Sequence, residues 1–184
     1  MRKLAHAEIA AQRTPLTRIG AEPRVPLVVV IDNVRSLYNI GSIFRTADGV
    51  MLERLVLTGF TPRPPRKEIE KTALGATKTV PWEYVRHPAD AVRACSERGY
   101  RTACLELTND SRSLHTAAPA DLPLCLVVGN EITGVSAEAM AECETAFEIP
   151  MFGMKQSLNV AVAFGIAVFE LGRIWRVGQS KARV

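Results

Sequence analysis

The sequence predicts an α/β fold, a largely parallel sheet flanked by helices. Two observations carry this expectation. Short apolar, β-branched runs such as "PLVVVID" at 26–32 recur along the chain, as strands buried on both faces require. Between them lie stretches with apolar residues at helical spacing, so strands and helices alternate. A chain of 184 residues, 47% hydrophobic and 23% charged, suits one ordinary globular domain.

The elements follow in order. Residues 26–32 are the first strand. In "DNVRSLYNIGSIFRTADG" (32–49), Ile40, Ile43, Phe44 and Ala47 recur at i, i+3, i+4 and i+7, which predicts a helix over about 40–51. Arg45 falls off that face, among small and polar neighbours. "RLVLTGF" (54–60) reads as a second strand. Pro62, Pro64 and Pro65 then make a surface loop that leads into a short helix near 67–75. A short strand at 81–85 precedes a helix at 89–99 that Gly99 ends. Runs at 100–107 and 123–129 are further strands. Ser136 caps a helix to about Cys143, 145–151 is a sixth strand, and 157–175 a long final helix. In that last helix Ser157 is the expected N-cap, with Asn159 in the first turn.

Composition excludes several classes. The net charge of +4 is mild, but its placement is uneven. Arg2, Lys3, Arg13, Arg18 and Arg24 face only Glu8 and Glu22 at the start, and Arg173, Arg176, Lys181 and Arg183 close the chain. Basic ends on a neutral body fit contact with a polyanion, or else solvated termini. Cys95, Cys104, Cys125 and Cys143 are too widely spaced for a CxxC site and read as buried free thiols. His6, His87 and His115 form no metal-binding spacing. The start of the chain has no apolar signal segment, and the longest apolar run, 158–169, is too short to span a bilayer, so a cytoplasmic location is expected and no membrane partner. GxGxxG, GxxxxGK[ST] and GxSxG are all missing.

Parallel α/β sheets bind ligands at the carboxyl ends of their strands. Three polar clusters stand there: Asn33, Arg35, Ser36, Asn39 and Arg45; then "VVGNEITGVS" (127–136); then "IPMFGMKQSLNVAVA" (149–163). Each has a plain structural explanation when taken alone. Arg45 could pair with Asp48 on the helix surface for about 0.2–0.5 kcal/mol. Glu131 could be a solvated turn residue, and the third cluster an ordinary capped core helix.

Taken together, N-x-R-S-x-x-N-I-G-x-x-x-R-T, G-N-E-x-x-G-V-S and I-P-M-x-G-x-x-x-S-L-N-V-A-V-A resemble the three signature motifs of the SpoU (TrmH-type) RNA 2′-O-ribose methyltransferases of the SPOUT superfamily. The resemblance runs in order from about 26 to 172. It implies a SPOUT-type fold with a C-terminal trefoil knot, a feature exceptional among folds. It implies S-adenosylmethionine as cofactor, walled by Leu105, Glu106, Gly129, Asn130, Gly134, Ile149, Met151, Ser157, Leu158 and Asn159. Gly129 and Gly134 would let backbone come close to the ligand. Catalysis would fall to Arg45, with Asn39, Glu131 and Asn159 lining the site. The family works as a homodimer, here through the knot region and the final helix. The organisation expected is a basic arm (1–25), a catalytic domain (26–176) and a basic tail (177–184). With no separate RNA-binding domain in so short a chain, RNA (tRNA or rRNA) would be held by Asn33, Arg35, Ser36, Arg63, Arg66, Lys67, Lys71 and Lys78, helped by the termini.

Arginine in motif 1 poses a chemical question. A guanidinium titrates at about 12.5 to 13.8. Lowering one to near 8, so that it could act as a base, costs roughly 6 kcal/mol. A charged clamp that holds a phosphate and stabilises a developing alkoxide is the cheaper role. Three rivals remain open: methylation of a base nitrogen, a non-catalytic RNA-binding member of the fold, and a small-molecule α/β enzyme.

Overall fold

The computed structural model describes residues 1–12 and 14–181. Its helices and strands run α1 (His6–Ala11), α2 (Leu16–Ile19), β1 (Val25–Asp32), α3 (Leu37–Val50), β2 (Leu52–Thr58), α4 (Lys67–Ala73), β3 (Trp82–Val85), α5 (Pro88–Ser96), β4 (Arg101–Leu105), β5 (Arg112–Ser113), β6 (Leu124–Val128), α6 (Ala137–Met140), β7 (Thr145–Glu148) and α7 (Val160–Lys181). The sheet has seven strands in the order β3-β2-β1-β6-β4-β7-β5, and every pairing is parallel. The expected α/β class is what the chain forms.

Alternation along β1 explains the layers. Leu27, Val29 and Ile31 point to one face, where they pack with Ile40, Ile43, Phe44 and Ala47 of α3 and with Phe164, Val168 and Leu171 of α7. Val28 and Val30 point to the other, against Ala91, Val92 and Cys95 of α5. Successive side chains of a strand face opposite ways, so one apolar run feeds two cores. Phe44 also meets Trp82 edge to face, with ring centroids 6.1 Å apart. Cys95, Cys104 and Cys125 are buried and Cys143 half-buried, all four as free thiols.

Several expected boundaries shift. α3 begins at Leu37, not 40, because Ser36 caps it: its Oγ accepts the Asn39 N–H at 3.3 Å. α7 begins at Val160, so Ser157 is not its cap. Asn159 holds that place, with its Oδ1 accepting the Ala161 N–H at 2.9 Å. The sheet gains a seventh strand, β5, whose two residues are too few to show a pattern in sequence. Helices α1 and α2 fall within the stretch expected to be an arm.

The basic ends are largely engaged within the chain. Arg2 pairs with Glu8 at 2.6 Å and Arg18 with Glu22 at 3.5 Å. Arg24 donates to the Leu52 and Thr79 carbonyls, Arg173 pairs with Glu170, and Arg176 donates to the Val50 carbonyl. Arg13 and Arg183 lie outside the described residues, as does the side chain of Lys181. No helix among the described residues is long and apolar enough to cross a membrane.

Helix α3 approaches α4 at Gly41. A Cβ there would collide with the Ile69 carbonyl oxygen and the Thr72 hydroxyl. Backbone cannot step aside as a flexible side chain would. Gly41→Ala is therefore expected to cost about 1–3 kcal/mol, seen as a lower urea midpoint at an unchanged slope.

Candidate functional site

The carboxyl ends of β1, β4, β6 and β7 carry the polar clusters, and hydrogen bonds tie them into one assembly. Asp32 closes β1 and is 1% exposed. Its carboxylate accepts from the Asn33 amide and from the Ser136 backbone N–H, each at 2.7 Å. Asp32 was absent from the residues expected at the site. The available signal was a carboxylate closing an otherwise apolar strand, a charge that can be buried only if paired. Asn33 turns the chain in a left-handed conformation, φ 55°. It accepts the Phe60 N–H on its Oδ1 and the Asn130 amide on its carbonyl. Asn33, expected to contact RNA, is half-buried and brackets three loops.

The loop after β6 is built around Asn130. Its Oδ1 accepts the Ile132 and Thr133 N–H groups, and its backbone exchanges two bonds with Gly134. The two glycines owe their presence to this loop. A Cβ on Gly129 would strike the Gly134 and Val135 backbone, and one on Gly134, at φ +68°, would strike the Glu106 carboxylate. That carboxylate accepts the Leu107 and Val135 N–H groups at 3.0 Å each. The close approach that needs glycine is therefore loop against loop.

Glu131 reaches back to the start of α3. It accepts the Arg35 N–H at 2.9 Å, the Ser36 N–H at 3.1 Å and the Asn39 side-chain amide at 3.0 Å. A carboxylate at a helix N-terminus meets unpaired N–H groups and the positive end of the dipole. Partial burial alone would raise its pKa. The N–H groups of Arg35, Glu131 itself and Ser36, with the Asn39 amide, outweigh that and hold the carboxyl below its ordinary range. Asn39 then accepts, on its Oδ1, the Asn159 amide at 3.2 Å. Three of the four expected catalytic residues, Glu131, Asn39 and Asn159, thus form one hydrogen-bonded line.

Beside this line lies a cleft of about 650 Å³. Leu105, Glu106, Gly129, Asn130, Gly134, Ile149, Met151, Ser157 and Leu158 all line it, together with Glu131. Asn159 is the exception among the expected cofactor wall, being turned to Asn39 and α7. Lys155 and Gln156 also line the cleft and were not expected there. Among the described residues, 149–158 make no hydrogen bond, so their C=O groups, and their N–H groups except at Pro150, which has none, are free to serve a ligand.

Arg45 stands apart. It is exposed, does not line the cleft, and makes no hydrogen bond or ion pair among the described residues. Asp48, its alternative partner, accepts instead from the Thr79 hydroxyl at 2.5 Å. Six residues beyond Asn39, Arg45 is about 9 Å further along the helix axis. Arg35, in the loop before α3, and Arg63, Arg66, Lys67, Lys71 and Lys78, on α4 and its flanks, are exposed or half-buried.

Comparison with known proteins places this geometry in context. A profile described as the SpoU rRNA Methylase family matches residues 26–169. The tRNA (guanosine(18)-2′-O)-methyltransferase of Thermus thermophilus is 34% identical over 89% of this chain and 82% of its own. A Staphylococcus haemolyticus protein named for the TrmH family of tRNA/rRNA methyltransferases is 32% identical over 79% of this chain, which spans 58% of that protein's length. The crystal structure of an AdoMet-bound rRNA methyltransferase from Sinorhizobium meliloti superposes with a TM-score of 0.75 at 29% identity, covering 88% of this chain and 61% of that one.

The depressed Glu131 carboxyl has a pH consequence. A folded-state pKa below the unfolded one contributes stability that is full above the ordinary Glu range and is lost as pH falls through the folded value. Glu131→Gln is expected to be less stable than wild type at neutral pH by up to about 1 kcal/mol, solvent screening reducing the contribution of this exposed carboxylate, with the gap closing on acidification. Denaturation midpoints of both proteins from pH 7 down to pH 3 measure this; a gap that is constant with pH would contradict it.

Proposed function

The chain belongs to the SpoU rRNA Methylase family, and on that premise we propose that it transfers a methyl group to a ribose 2′-hydroxyl of RNA, with S-adenosylmethionine as donor. The observation that carries this reading is the convergence of all three motif loops on one cleft, locked together through Glu131, Asn39 and Asn159. The cleft suits the cofactor. Leu105, Ile149 and Leu158 offer apolar surface to a purine, and the unpaired backbone of 149–158 offers hydrogen bonds to its edges. Glu106 and Glu131 supply negative charge beside it. When bound, S-adenosylmethionine supplies a methyl group already activated by its sulfonium.

What the chain must add is an acceptor oxygen. Arg45 keeps its charge, binds a phosphate next to the target ribose, and stabilises the negative charge that grows on the 2′-oxygen as its proton passes to phosphate or water. Asn39 orients the ribose from the same helix. Glu131 is a positioning residue that fixes the first turn of α3, and Asn159 joins that turn to the loop at 149–158.

Arg45 lies outside its own chain's cleft, which is why we read the active unit as a homodimer. Val162, Ile166 and Phe169 form an exposed apolar stripe on α7 at i, i+4 and i+7. The Phe169 ring reaches Gly49 of α3, so the stripe and the exposed face of α3 form one surface. A second copy packed there would carry its Arg45 towards the partner's cleft. The sheet order supports the expected knot: the chain leaves β4 for the far edge at β5, crosses back over β4 to β6, and only then forms β7 between β4 and β5. Residues 26–176 would be the catalytic domain, 1–25 and 177–184 its basic flanks, and the cytoplasm the place where it meets RNA.

Labelled methyl transfer to unmodified tRNA and rRNA transcripts, followed by nucleoside analysis, tests the activity. A 2′-O-methylated nucleoside is expected; a base-methylated product would replace this reading and no transfer would sink it. Arg45→Ala should lower kcat by about 10²–10³ while S-adenosylmethionine still binds. An Arg45→Lys enzyme that recovers wild-type rates at high pH would restore the general-base role. Co-expression of an Arg45→Ala chain with a cleft-blocked Gly134→Leu chain should recover about a quarter of wild-type activity, because a two-fold dimer of unlike chains holds one intact site. No recovery would place Arg45 with its own chain's cleft.

A further inference from the structure

A second hollow, of about 710 Å³, opens between residues 59–66 and β3. It is separate from the cleft and has no part in the catalytic line. None of its lining residues is acidic, and two, Arg63 and Arg66, are cationic. The Arg63 guanidinium lies over the Tyr84 ring, 4.1 Å from its centroid. Tyr84 is itself held in place, with its hydroxyl donating to the Gly59 carbonyl at 2.9 Å. Arg63 makes no hydrogen bond or ion pair among the described residues, so its outer face and its N–H groups are available. Phe60, at the mouth, is 62% exposed.

An exposed aromatic ring usually sits on a segment that is free to fold away. This one does not. The Phe60 N–H is fixed by Asn33 Oδ1 at 3.1 Å, and the Thr61 hydroxyl, 2% exposed with its residue, donates to the Ile31 carbonyl and accepts the Val34 N–H. The backbone that carries Phe60, and the Tyr84 ring with the Arg63 guanidinium over it, are therefore pre-positioned, which lowers the entropic cost of binding. Flat π surfaces interleaved with cations, and no carboxylate, match an unpaired nucleotide: bases stack on aromatic rings and on guanidinium planes, and phosphates meet Arg. Asn33 connects the hollow to the Asn130 loop of the cleft. The two lie at the carboxyl ends of strands two to five places apart in the sheet, about 10–24 Å at 4.8 Å per strand.

We propose that this hollow takes an unpaired base of the substrate RNA, a few nucleotides from the methylated ribose, stacked on Phe60 and on the Arg63–Tyr84 pair, with Arg66 on the adjoining phosphate. The inference rests on RNA being the substrate and adds to it a requirement for a single-stranded segment. The probe is a 12-nucleotide single-stranded RNA carrying 2-aminopurine, compared with the same strand paired to its complement. Wild type should bind the single strand more tightly and quench its fluorescence. Phe60→Ala and the charge-keeping Arg63→Lys should each weaken single-strand binding by about five- to 150-fold, relieve the quenching, and leave duplex binding and S-adenosylmethionine affinity within about twofold. Phe60 is exposed, so the fold should survive its truncation, and the melting midpoint checks this.

Single-strand affinity and quenching that persist in both variants would overturn the proposal, as would an equal loss on strand and duplex, which describes a phosphate clamp. Wild type that methylates RNA while Phe60→Ala binds normally would keep the enzymatic reading and remove the stacking site. Wild type that binds neither RNA would remove both.

Discussion

A single carboxylate sets the geometry of the site. Glu131 belongs to the loop after β6, yet its three partners are the N–H groups of Arg35 and Ser36 and the amide of Asn39, at the start of α3. Four helical N–H groups are left unpaired at any helix start, and an anion there is favoured by both hydrogen bonding and the dipole. Glu131 takes the N–H of the cap residue Ser36 and of Arg35 just before it, and so ties the start of α3 and the wall of the cleft into one piece. Asn39 extends the piece to Asn159, and Asn159 caps α7. The three motifs are thus coupled before any ligand arrives. Charge-assisted bonds of this kind are roughly twice as strong as neutral ones.

The cleft itself is a product of backbone. Asn130 spends its Oδ1 on shaping its own loop and its side-chain amide on the Asn33 carbonyl, and Gly129 and Gly134 are there because neighbouring backbone and Glu106 leave no room for a Cβ. Residues 149–158 keep their peptide groups unpaired along the other wall. A site made this way offers shape and peptide-edge hydrogen bonding, and on the proposed reading its side-chain chemistry would come from Arg45. It is held out on α3, next to the apolar stripe of α7, where a second chain would turn an isolated cation into part of a neighbouring site.

Much of this was legible in the residues. Periodicity placed Ile40, Ile43, Phe44 and Ala47 on the buried face and Arg45 off it, and both hold. The alternation of strands and helices predicted the parallel sheet. Nine of the ten residues expected along the cofactor wall line one cleft. The failures have physical causes. Ser157 looked like the cap of the last helix because serine is a good cap, but the cap is chosen by where the helix meets its neighbours, and Asn159 is the residue opposite Asn39. β5 is too short for any pattern. Asp32 gave no sign that both its oxygens would be used, since one donor, the Ser136 N–H, is 104 residues away.

Local chemistry, then, was within reach of the sequence by itself: which residues face the core, where the chain turns, and which polar clusters end the strands. Those depend on neighbours within a few positions, through helical and strand periodicity and turn preference. The tertiary structure alone decided what the polar groups do. It spent Asn33 and Asn130 on holding loops, gave Glu131 to the start of α3, and set Arg63 over Tyr84 beside an exposed Phe60. Each of those outcomes is a hydrogen bond or a stacking contact between residues far apart in the chain. Such contacts reach only a few ångströms, so nothing short of the folded arrangement specifies them.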